Sequence, residues 1–175
     1  MHVLAYNIVR AEAQEPIFRR LMKYTPLAIA NELIGLAAVE GVTHMQLQKL
    51  VYIVHGNWLR GHDIPCVDEN PQVWQYGPVF GSLYHKLKDH KNDPITSPVD
   101  EEFVDENDRE VKELVKRVWA KFRTWSGPKL SDVTHRPGSP WHEVAKRFDF
   151  QVPRGTGIPA EEIKEYFRET SILAV

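Results

Sequence analysis

Apolar residues recur along most of this chain at intervals of three and four, the spacing of helices with one buried face. From Thr25 the signal is dense. Thr25-Pro26 places an N-cap residue before a proline at the first helical position, and Gly41 stands just past the last periodic residue. Leu27, Ile34 and Ala38 share one face, with Ile29, Leu33 and Leu36 widening it, so this helix is expected to pack on more than one side. The next helix opens on Thr43-His44-Met45-Gln46, a capping-box spacing. Leu47, Leu50, Val51, Val54 and Trp58 make its apolar stripe, Lys49, Tyr52 and Gly56 lie opposite, and Gly61 closes it. A glycine inside a helix costs ~1 kcal/mol relative to alanine, so Gly56 predicts close backbone approach by a neighbour.

The middle of the chain changes character. From Asp63 to Tyr76 it reads as extended or looped, with Val73 and Trp74 suited to a short strand. Tyr76-Gly77-Pro78 reads as a turn, and residues 79–88 as a helix with Leu83, Tyr84 and Leu87 facing inward. Residues 93–108 are polar and rich in Asp and Glu, which predicts a solvated loop leading into an acid-started helix. The longest helix is expected over residues 108–125, its core stripe being Val111, Leu114, Val115, Val118, Phe122 and Trp125. Short helices are expected to start at Ser126-Gly127-Pro128, Ser139-Pro140 and Pro159. The whole reads as a mainly α, compact single domain of six or seven helices with a short β or extended segment over residues 63–76.

A length of 175 residues suits one core. Lysine and arginine total 22 against 24 acidic residues, so a net charge of −2 gives no global argument for nucleic acid or an anionic membrane. The single cysteine, Cys66, excludes an internal disulfide and a multi-cysteine zinc site. No apolar run approaches the ~18 residues of a membrane span, and Arg10, Glu12 and Glu15 fall where a secretory signal would be apolar. A cytoplasmic protein is expected.

Chemistry is hard to find. None of the eight histidines pairs with another at i+3 or i+4 on one predicted helix, and no glycine-rich loop follows a strand. A lone Cys66 reads as a packed thiol. These features predict a protein that is not an enzyme and needs no cofactor or metal. Two surfaces invite a partner instead. Residues 1–24 form an arm in which Ile17, Phe18, Leu21 and Met22 recur at helical spacing beside Arg19, Arg20 and Lys23. It reads either as a helix docked on its own core or as a partner-binding segment. Lys112, Lys116, Arg117, Lys121 and Arg123 share a face of the long helix, which reads as a solvated face and alternatively as a site for an acidic partner or a phosphate backbone.

A resemblance sharpens this. Leu47-Gln48-Lys49-Leu50 with Tyr52 and His55-Gly56, then Trp74, Tyr76-Gly77-Pro78-Val79 and Leu83-Tyr84, resemble the motifs of the Panacea domain. This is the SocA-like antitoxin family, once catalogued as a domain of unknown function in phage-associated proteins. Leu130-Ser131-Asp132-Val133-Thr134-His135 and Ser139-Pro140-Trp141 look like its later elements, and Ile163, Tyr166 and Phe167 like its closing helix. Many members carry proline where this chain has Gly81, which is expected to loosen the start of the following helix.

The resemblance implies a mainly helical antitoxin, residues 25–175, that neutralises a cognate toxin encoded nearby by direct binding. Family members pair with unrelated toxins, including alarmone-synthetase-like enzymes. One branch delivers its toxin to a protease, so a Clp-type complex is a further expected partner. Segments outside the shared core help set toxin choice, which here would be the arm carrying Ile17, Phe18, Arg19, Arg20, Leu21 and Met22. The motif residues themselves read as structural. Trp74, Tyr76 and Trp141 are expected as core or turn anchors, and Lys49, Tyr84 and His135 as a buried polar cluster. The competing class is a DNA-binding regulator using the basic face of helix 108–125. The balanced charge and the want of a clear recognition helix weigh against nucleic acid.

Overall fold

A computed structural model of the chain describes residues 24–170, 172 and 173. The amphipathic strip from Ile17 to Met22 lies outside the described residues. Seven α-helices and one two-stranded antiparallel hairpin make up the fold among them. Helix α1 (Pro26–Ala37) starts where Thr25 Oγ1 accepts the Ala28 N–H at 3.1 Å. Helix α2 (His44–Gly61) starts on a complete capping box between Thr43 and Gln46. Strands β1 (Gln72–Trp74) and β2 (Gly77–Val79) follow, then α3 (Gly81–Leu87). Helix α4 (Arg109–Phe122) is capped by Asp108 and α5 (Gly127–His135) by Ser126; α6 (Pro140–Lys146) is capped by Ser139, and α7 (Ala160–Glu169) follows Pro159.

The core is organised around α2, which packs against α1, α4, α5 and α7. Encirclement explains why this helix buries residues on every side. Lys49 and Tyr52, opposite the expected stripe, are each only 1% exposed. Gly56 is the contact point with α7: a Cβ there would lie 2.4 Å from the Phe167 ring. The predicted close approach is therefore by an aromatic side chain rather than by backbone.

Three expectations need correction. Helix α1 stops at Ala37, and Ala38 turns left-handed (φ 48°), so the apolar period ends early and leaves Ala38 and Leu36 exposed. Gly77-Pro78-Val79 is a strand, not a turn running into a helix; Val73 pairs with Pro78 and Trp74 with Gly77. Helix α4 ends at Phe122, leaving Trp125 half-buried beyond it. The acidic stretch is a largely exposed loop, as expected, and is pinned to the core at a few points. Ile95 bonds Val42 in both directions, and the buried Asn31 amide pairs with the backbone of Val99 and Glu102.

The start of α3 is likewise not loosened by Gly81. Glu69, from the loop before the hairpin, accepts the Gly81 N–H at 2.6 Å and also the Ser82 N–H. Proline at 81 could not donate that bond. On the basic side of α4, Lys112 pairs with Glu32 at 3.3 Å and Lys116 with Glu113 at 2.7 Å, while Arg117 and Arg123 are exposed. No helix among the described residues is long and apolar enough to cross a membrane.

Candidate functional site

The motif residues meet where α2 faces the hairpin. Gln48 clamps the chain leaving β2: its Oε1 accepts the Phe80 N–H at 2.9 Å and its Nε2 donates to the Phe80 carbonyl at 3.2 Å. The amide thus replaces a neighbouring strand. Beside it, Lys49 Nζ donates to the Pro78 carbonyl at 2.8 Å. Gly77 makes room for that ammonium. It holds φ +97°, and a Cβ there would lie 3.1 Å from Lys49 Nζ and 3.2 Å from Thr134 Oγ1. Two further elements fix the hairpin from behind. Ser131 of α5 donates its hydroxyl to the Tyr76 carbonyl at 2.6 Å, and Trp141 of α6 donates its indole N–H to the Trp74 carbonyl at 2.9 Å.

Electrostatics at this junction are unusual. Lys49 has a single hydrogen bond and no carboxylate partner among the described residues, so burial alone pushes its ammonium down to about 7. His44, 3.3 Å from the Gln48 amide, is also held below its ordinary value by burial and then by Lys49 and His90. In front lies an open cleft of about 350 Å³. Its lining comprises His44, Met45, Gln48 and Lys49 from α2, the hairpin residues Trp74, Gln75, Tyr76 and Val79, and Tyr84, Lys91 and Asn92 beyond them. The Trp74 and Tyr84 rings sit 4.7 Å apart, and His44 packs on Tyr84 at 5.3 Å.

Leu47, Leu50, Tyr52, Val79, Leu83 and Pro140 are buried and build the core around this junction. Trp74, Tyr84 and Trp141 are half-buried. Tyr76 departs from expectation: its backbone anchors the turn, but its side chain is 60% exposed. The expected cluster of Lys49, Tyr84 and His135 does not form. Lys49 turns to Pro78, His135 lies 3.2 Å from Ser131 Oγ and against the Trp141 ring, and Tyr84 stacks among Trp74 and His44. Sequence reasoning missed His44, Lys91 and Asn92 as neighbours of the motif. Only His44 had a usable signal, its i, i+4 spacing to Gln48. Cys66 is buried, and burial pushes its thiol up.

A family model described as antitoxin SocA-like, Panacea domain, matches residues 47–142, from α2 through the hairpin into α6. The chain belongs to the SocA-like Panacea family. A relative, antitoxin SocA of Caulobacter vibrioides (strain NA1000 / CB15N), is 27% identical over 154 residues, spanning 81% of this chain and 81% of its own. No solved structure matches. The family match includes Gln48, Lys49, Trp74, Gly77, Pro78 and Tyr84, the residues that build the junction between α2 and the hairpin.

Proposed function

We propose that this protein is the antitoxin of a toxin–antitoxin pair and neutralises a separate toxin protein by binding it directly. The observation that carries this reading is similarity along 81% of both chains to a protein named an antitoxin, on top of membership in the SocA-like family. The surface supports it. Tyr76 projects from a turn whose backbone is held by Ser131, and Phe148 and Phe150 are exposed on one loop. Aromatic side chains presented on fixed backbone are the usual anchors of protein interfaces.

The reading is tested by expressing the neighbouring reading frame alone and together with this protein. Growth arrest by the neighbour, relieved on co-expression, is the expected result. Relief that persists in cells without a Clp-type protease marks direct neutralisation rather than delivery for degradation. A harmless neighbour, or arrest that continues with both proteins soluble, overturns the reading.

A further inference from the structure

The cleft in front of the motif junction is lined by two lysines, and an anion beside Lys49 would hold the proton that burial alone leaves only partly bound near pH 7. Lys49 contributes to its lining while 1% exposed, and Lys91 stands exposed at its rim. Among the described residues no aspartate or glutamate lines it. An ammonium has three donors, and the hydrogen bond to the Pro78 carbonyl uses one of those on Lys49. Trp74, Tyr76 and Tyr84 add aromatic rings to the same lining.

We propose that this cleft is the docking site for an acidic segment of the partner toxin, with a carboxylate drawn to Lys49 and Lys91 and its apolar stem against the aromatic walls. The proposal rests on the antitoxin reading and specifies the partner chemistry for it. Charge complementarity sets the anionic group. Tyr76 sets the scale of the occupant. It lines the cleft and yet is 60% exposed as a residue, so its aromatic surface stays in water unless a partner surface covers it. The hairpin is pre-ordered for this by the Ser131 and Trp141 hydrogen bonds, which lowers the entropy lost on docking.

The test measures the affinity of the purified protein for the purified product of the toxic neighbouring reading frame. Tyr76→Ala and Lys91→Glu are expected to weaken binding by about tenfold or more with melting temperatures unchanged. Lys91→Gln, which matches the glutamate variant in shape but carries no charge, is expected to weaken it less than Lys91→Glu. Arg117→Glu, on α4 and outside the cleft, is expected to bind as the parent does. Parental affinity in both Tyr76→Ala and Lys91→Glu overturns the cleft and leaves the antitoxin reading standing. Equal losses in Lys91→Gln and Lys91→Glu overturn the acidic occupant. A parent protein that does not bind the toxin at all overturns both.

Discussion

Gly56 shows how tightly one residue can set a helix crossing. The Phe167 ring is fully buried and has no room to retreat from a Cβ only 2.4 Å away. Gly56→Ala gains ~1 kcal/mol of helix propensity. Overpacking at this closeness outweighs it, so a net loss of about 2 kcal/mol is expected from chemical denaturation. A variant as stable as the parent would mean that α7 is not held against α2. Lys49 carries a pH signature. Its folded value of about 7 lies below the ordinary 10.5, so between these the unfolded chain binds more protons and stability rises with pH. Below that window both states are charged and the full desolvation cost stands. Unfolding free energy is expected to climb by about 1 kcal/mol from pH 7.5 to 8.5, and Lys49→Met is expected to abolish the climb. Above pH 9, Cys66, Tyr24 and Tyr52 oppose it, because their raised folded values keep protons that the unfolded chain releases. A flat parental profile, or an unchanged slope in Lys49→Met, contradicts this account of the buried cation.

Helices were legible because their signals are local. Capping side chains sit three residues from the amides they satisfy, as Thr25, Thr43, Asp108, Ser126 and Ser139 do here. Apolar stripes report burial wherever a helix has one free side. Leu50 and Val118, at the centres of α2 and α4, are 1% and 0% exposed. Truncation to alanine is expected to cost ~2–4 kcal/mol at Leu50 and the lower end of that range at Val118, read as shifts in denaturation midpoint. Where a helix is encircled, periodicity misleads, and so Lys49 and Tyr52 read as lying on a second face although both are buried. Strand β2 was hidden because Gly77 and Pro78 are poor strand formers; only pairing with β1 and the Lys49 bond make it one. The cap of α3 was equally hidden, since Glu69 acts from 12 residues upstream. Glu69→Ala is expected to cost about 1 kcal/mol in thermal or chemical unfolding. An unchanged midpoint would assign that carboxylate no part in starting the helix.

At the scale of the whole molecule, sequence patterns identified the motif but not the cleft it builds. Gln48 and Lys49 reach residues 32 and 29 positions away, while Trp141 reaches Trp74 across 67. No local spacing encodes such meetings, and none encodes the Ser131 bond that holds the Tyr76 carbonyl from 55 positions away. Family resemblance reached further than composition because linked motifs carry tertiary information that charge and hydropathy do not. Direct neutralisation of a toxin protein is the central claim, and one measurement addresses it without cells. The purified product of the toxic neighbouring reading frame is mixed with this protein, free of protease and nucleic acid, and its activity is followed alongside complex formation. A saturable complex whose formation abolishes that activity in proportion is the expected result. A toxin that stays fully active in excess of this protein, or that is inhibited only when a protease or DNA is added, would contradict it.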